Sequence, residues 1–144
     1  MTGFKVLSSI QEMELKNLPI SSQTLSVGDL IELTAGATTW AACTSSSDHF
    51  TRKAICFQTV TSSATTVLAY EVNGKEKVEA EVTNTASAAH NGDRMVLTDK
   101  NTVNNTGSDA TGQTAAFVQD GLGSTTTSIV GRILVGNGVD PDAT

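Results

Sequence analysis

Along most of this chain, apolar and polar residues alternate in short runs, and Gly, Asn, Asp, Ser and Thr separate the runs. A period of two predicts β-strands joined by turns. In Ser26-Val27-Gly28-Asp29-Leu30-Ile31-Glu32-Leu33, a Gly-Asp turn runs into a strand with Val27, Ile31 and Leu33 on one face. Loops follow at residues 35–39 and 45–48, on either side of Trp40-Ala41-Ala42-Cys43. Residues 53–60 read as a strand with Ile55 and Phe57 on one face. Asn73-Gly74, between the runs 66–72 and 75–82, is a strong hairpin signal. A bulged loop with its glycine at Gly74 suits the pattern better than a two-residue loop, which would set Glu71 against Glu76. The bulge puts Leu68 and Tyr70 on one face with Val78, Ala80 and Val82, and sets Glu71 opposite Lys75. It leaves Lys77, Glu79 and Glu81 to solvent.

Gly92-Asp93-Arg94-Met95-Val96-Leu97 repeats the earlier turn-then-strand pattern, too far along the chain for a solenoid period. Residues 99–113 are polar and lack an apolar period. A last hairpin joins 115–119 to 126–135 through 120–124. Seven or eight short strands about ten residues apart, with no helical segment between them, predict an all-β fold. The expected architecture is a small antiparallel β-barrel or sandwich over residues 26–135, with an N-terminal arm at 1–25 and a frayed, acidic tail at 136–144.

The arm carries apolar residues at Phe4, Val6, Leu7, Ile10, Met13, Leu15, Leu18 and Ile20. The first spacings are three, which suits a short helix; from Met13 they become two, and Pro19 stops any helix. The segment is therefore extended or partly helical. It packs either on its own domain or on a neighbouring subunit. On the second reading these eight residues are the subunit contacts.

Composition sharpens the picture. Ser and Thr make up about a quarter of the 144 residues, charged residues are 17% and aromatics 4%. That mixture supports strands and turns around a thin aliphatic core. Net charge is −6 and no cluster of Lys and Arg stands clear of acids, which argues against nucleic acid and anionic membranes as partners. No signal peptide and no apolar run of membrane-spanning length is visible, so synthesis in the cytosol with reduced Cys43 and Cys56 is the expectation.

Candidate chemistry is sparse. A nucleophile needs a base and an orienting group. His49 and His90 are the only histidines. Cys43, His49 and Cys56, even with Asp48, match no zinc spacing. Asp99-Lys100-Asn101 opens like a calcium loop, but Asn104 and Ala110 occupy the positions of its glycine and its glutamate. Gly121-Leu122-Gly123 lacks the spacing of a phosphate cradle. Asp29 and Asp93 read as turn-bonding carboxylates, and Trp40 as a core or interface residue. No catalytic residue, metal ligand or cofactor site emerges, and the chain reads as a protein that binds or builds.

The order of these elements resembles the small head-decoration, or capsid cement, proteins of tailed bacteriophages. The likeness rests on Val27-Gly28-Asp29-Leu30-Ile31-Glu32-Leu33, the strand 53–60, the Asn73-Gly74 turn, Gly92-Asp93-Arg94-Met95-Val96-Leu97 and Ser128-Ile129-Val130-Gly131-Arg132-Ile133-Leu134-Val135. Arg52-Lys53-Ala54-Ile55 departs from the family's usual Gly-Val-Ala-like turn. The resemblance implies a barrel or β-tulip-like fold and a homotrimer on the capsid exterior. The protein would be made in the host cytoplasm and would join major capsid proteins by contacts multiplied across the trimer. The competing expectation is a carbohydrate- or receptor-binding module of a phage tail or cell surface, with Trp40 or Tyr70 as its platform.

Overall fold

The computed structural model describes residues 3–7, 14–106 and 115–136. Within them the protein is all-β, with one short 3-10 turn at Ala88–His90. The strands are β1 (Phe4–Val6), β2 (Leu15–Pro19), β3 (Leu30–Leu33), β4 (Ala41–Ala42), β5 (Arg52–Cys56), β6 (Thr66–Glu71), β7 (Val78–Glu81), β8 (Arg94–Met95), β9 (Leu97–Asp99), β10 (Thr102–Val103), β11 (Phe117–Leu122) and β12 (Ser128–Ile133). Sheet I has the order β1-β7-β12-β11-β8 and sheet II the order β2-β6-β5-β3-β4; β9 and β10 form a separate ribbon. All paired strands are antiparallel. Among the described residues twelve strands replace the seven or eight expected: the arm supplies β1 and β2, and the loops contribute two- and three-residue pairings that alternation cannot resolve.

The two sheets form a sandwich. Between them lie Phe4, Val78, Ala80, Met95, Phe117, Ile129 and Ile133 from sheet I, and Leu30 and Ile55 from sheet II. Phe4 and Phe117 anchor this core, with ring centroids 6.1 Å apart. Sheet II is also buried on its other face. There Ile31, Ala54, Cys56, Val67 and Ala69 pack with Leu18, Ile20, Leu25, Trp40 and Val60. Burial on both faces accounts for adjacent apolar residues at Leu30-Ile31 in β3 and Ala54-Ile55-Cys56 in β5, one side chain entering each core. Trp40, just before edge strand β4, donates its amide to Pro19 O (2.8 Å), at the end of the opposite edge strand. Sheet II thus curls around its own small core, yet among the described residues its edges meet only at this bridge and no barrel closes.

Two expectations about hairpins meet different fates. The last hairpin forms between β11 and β12, but a register shift between Gln119 and Gly121 carries β11 on to Leu122 and moves the turn to residues 123–127. The expected hairpin at Asn73-Gly74 does not form. β6 pairs with β2 and β5, whereas β7 pairs with β1 and β12, so the turn is a corner between the sheets. Its local chemistry is as expected: Gly74 has φ +86° and Lys75 N donates to Asn73 Oδ1 (2.9 Å). Glu76 then folds back and accepts from Asn73 N, Gly74 N and Tyr70 Oη. Tyr70, Val78, Ala80 and Val82 do share the central core, reached from opposite sheets. Glu71 faces Arg52 instead of Lys75.

Candidate functional site

The side chains with most chemical potential are committed to structure. His90 Nδ1 lies 3.0 Å from Asp93 Oδ2 at the end of the 3-10 turn. Asp93 therefore serves this ring, while Asp29 accepts from the turn amide of Ser26 (2.9 Å) as expected and also meets Lys100 Nζ at 3.3 Å. His49 is buried against the Phe50 ring, with centroids 4.1 Å apart. Asp99 Oδ1 accepts from Asn101 N (2.9 Å), which makes that segment the turn of the β9–β10 ribbon. Among the described residues no three His, Cys, Asp or Glu side chains gather as a metal site.

Both cysteines are buried thiols. Burial pushes Cys56 up to about 12, with Asp29 adding to the effect, and it raises Cys43 further, with Glu32 adding. Neither is an activated nucleophile. They also face away from each other: Cys43 enters the inter-sheet core and Cys56 the core of sheet II, with β3 lying between their strands. Strands two places apart in a sheet are separated by about 10 Å, beyond the roughly 7 Å across which a disulfide closes.

Buried carboxylates and one buried lysine act as loop anchors. Lys53 is fully buried, and its Nζ donates to the main-chain carbonyls of Asp48, Thr51 (3.4 Å) and Leu134 (2.9 Å). Glu32, its cross-strand partner, accepts from Ser47 Oγ (2.6 Å) and Thr51 Oγ1 (2.9 Å). Together they fasten loop 44–51. Glu79 Oε2 accepts from Ser124 Oγ and Ser124 N (both 2.6 Å) and from Ser128 Oγ (2.7 Å). Those bonds hold the Glu79 carboxyl below the usual range, the Ser124 hydroxyl contributing most. Glu79 is thus covered by the turn 123–127 and not left to solvent, contrary to the sequence expectation.

Two surface clefts offer no free charged group. One, of about 440 Å³, is lined by Lys16, Arg52, Glu71, Val72, Asn73 and Val135. Arg52 grips Glu71 through two bonds (2.7 and 2.8 Å) while its guanidinium sits 5.5 Å from the centre of the Trp40 ring. Another, of about 350 Å³, is walled by Thr85, Ala86, Leu122, Ser124, Thr125 and Thr126, with no titratable side chain among them.

The feature that stands out is an apolar overhang of sheet II. Register sets Leu15 beside Tyr70 and Tyr70 beside Ile55. One step along, Phe57 N donates to Leu68 O (2.8 Å), so Phe57 and Leu68 continue the same face. Ile55 is covered by sheet I, but Leu15, Phe57 and Val27 are 38%, 37% and 59% exposed, with Leu68 and Tyr70 half-buried between them. Val27 joins the strip because Gly28 N donates to Cys56 O (2.9 Å) on the facing segment. Sequence alternation put Phe57 with Ile55 correctly. It misassigned Val27, which Gly28 (φ +94°) turns away from the face of Ile31 and Leu33.

Of the eight apolar arm residues, Phe4, Leu18 and Ile20 are buried in the protein's own cores and Val6 packs against one of them. Leu7 and Leu15 are exposed, while Ile10 and Met13 lie outside the described residues. The overhang was not legible as a site, because its exposure depends on where sheet I stops. Among the described residues no helix is long and apolar enough to cross a membrane. No family model, curated protein or solved structure matches the chain.

Proposed function

We propose that this protein is a non-enzymatic adhesion module of the capsid-decoration kind. It binds the exterior of a tailed-phage head as a homotrimer and bridges neighbouring major capsid subunits. The observation that carries this reading is the overhang: a sheet face that is core elsewhere presents Leu15, Phe57 and Val27 to solvent. Covering such a strip stabilises a contact by about 25 cal/mol per Å² of apolar surface, and three linked copies multiply modest contacts. The resemblance of the sequence motifs to those of head-decoration proteins supports a capsid as the partner. The glycan-binding alternative wanted an aromatic platform, but Trp40 is 3% exposed and Tyr70 is half-buried with its hydroxyl on Glu76 (2.6 Å).

The test combines light scattering with co-sedimentation on assembled, undecorated heads of the encoding phage and on free coat subunits. A trimer mass and saturable binding to heads alone are expected. The pair Leu15→Glu and Phe57→Glu should weaken head binding by about tenfold or more, a loss of roughly 1.4 kcal/mol, without changing the circular dichroism. A monomer that binds neither heads nor subunits would overturn the proposal.

A further inference from the structure

The sequence holds two Asn-Gly pairs within the described residues, Asn73-Gly74 and Asn91-Gly92, and the fold treats them differently. In each, the glycine nitrogen can in principle attack the preceding carboxamide carbon. Both asparagines are exposed and both glycines have positive φ, +86° and +90°.

At the first pair, Gly74 N donates to Glu76 Oε1 (3.1 Å), a carboxylate able to take the proton as the nitrogen becomes nucleophilic. Asn73 Oδ1 accepts from Lys75 N (2.9 Å), a main-chain donor positioned to hold the charge that develops on this oxygen. Base and oxyanion donor thus bracket the reacting atoms. At the second pair, Gly92 N is bonded to a carbonyl, Gln119 O (2.7 Å), which is no base. Asn91 Oδ1 is tied to Nε2 of the fully buried Gln119 (2.9 Å), and Asn91 itself is extended, with ψ 127°. That side chain is fastened to the body.

We infer that Asn73 is a site of self-catalysed deamidation, assisted by Glu76, and that Asn91 is protected from the same reaction. The Gly74 nitrogen loses its proton to Glu76 and bonds to Cγ of Asn73. The tetrahedral intermediate collapses as Nδ2 takes up a proton and leaves as ammonia, giving a succinimide. Water then opens either ring carbonyl to produce aspartate or isoaspartate. The net change is amide plus water to carboxylic acid plus ammonia. Either product places a new carboxylate beside buried Glu76, and isoaspartate also lengthens the main chain at the corner between the sheets. Conversion therefore loosens the joint between sheets I and II with age.

The experiment is peptide mapping by mass spectrometry of the intact folded protein, held at neutral pH and 37 °C and sampled over weeks, with a parallel sample in urea. Folded protein should show acid product at position 73 forming roughly tenfold faster than at 91, and the two rates should converge in urea. Glu76→Gln, checked for folding by circular dichroism, should slow conversion at 73. The inference fails if Asn91 converts as fast as Asn73 in folded protein, if the difference persists in urea, or if folded Glu76→Gln converts at the unaltered rate. Should Glu76→Gln not fold, the comparison of the two sites with and without urea decides the matter.

Discussion

Lys53 shows how a charge is kept inside a core this thin. Its ammonium replaces water with the carbonyls of Asp48, Thr51 and Leu134, and Glu32 stands opposite it across the strand pair. Burial is the largest influence on its pKa and lowers it, against the pull of Cys43, Glu32 and Asp48. Lys53→Met keeps the volume but takes the ammonium donor from the carbonyls of Asp48 and Leu134 and removes the positive charge that faces buried Glu32. We expect it to cost about 3 kcal/mol, read as a lower urea midpoint at unchanged m-value. The buried thiols carry a pH dependence of the opposite sense to Lys53. An unfolded cysteine ionises from about pH 8.5, whereas folded Cys56 holds its proton to about 12. Above the unfolded value the folded state binds more protons than the unfolded one, so stability falls as pH rises. Lys53, with its pKa depressed, gains stability over the range up to its unfolded value. The two are separated by subtraction: the stability difference between the unaltered protein and Cys56→Ala should be flat below pH 8. It should then shrink by up to about 1.4 kcal/mol per pH unit above 9. A difference flat through pH 11 would show the thiol to be solvated.

At the scale of elements, the turn 123–127 owes its position to Glu79, one side chain on the outer face of sheet I. Replacing it by Gln removes the charge and turns an N–H donor toward donors at Ser124 and Ser128. A loss of about 2 kcal/mol at pH 7 is expected. Because the folded carboxyl is held low, that contribution is present above the unfolded value of about 4.3 and fades as pH falls through the folded one. Urea midpoints of the two proteins should therefore differ at pH 7 and converge in acid. The same residue marks the boundary of what the sequence conveys. Alternation correctly points Glu79 away from the inter-sheet core; that a turn forty-five residues later covers it is a non-local fact. Asn73-Gly74 teaches a similar lesson. The positive φ and the Asx bond are written locally, but a hairpin and a corner between sheets share that chemistry, and only the partners of β6 and β7 distinguish them. The overhang escaped for a third reason: an apolar residue of a strand is core or surface according to how far the opposing sheet extends.

For the molecule as a whole, the first twenty residues are the seam of the sandwich. They supply one edge strand to each sheet, β1 beside β7 and β2 beside β6. Phe4 packs on Phe117 in the inter-sheet core, and Leu18 and Ile20 fill the core of sheet II. Gly3 N and Phe4 N donate to Asn101 O (3.2 Å) and Gly28 O (2.8 Å), which binds the strand to the ribbon and to the turn ahead of β3. Pro19 and Lys16 on β2 suit an edge that must not recruit another strand. Deleting residues 1–20 would unpair β6 and β7 along these edges and open both cores at once. Burial of a large apolar side chain is worth about 1.5–3 kcal/mol, so losing Phe4, Leu18 and Ile20 together removes an amount comparable to the roughly 5–15 kcal/mol by which domains are stable. The truncated chain should show no cooperative melt and should associate through its bared edges, seen as rising mass in light scattering. A monodisperse truncated protein that melts cooperatively within about 3 °C of the full chain, a shift of less than roughly 1 kcal/mol, would show that the body folds without its seam. It would also return these residues to the role of an arm free to reach a neighbour.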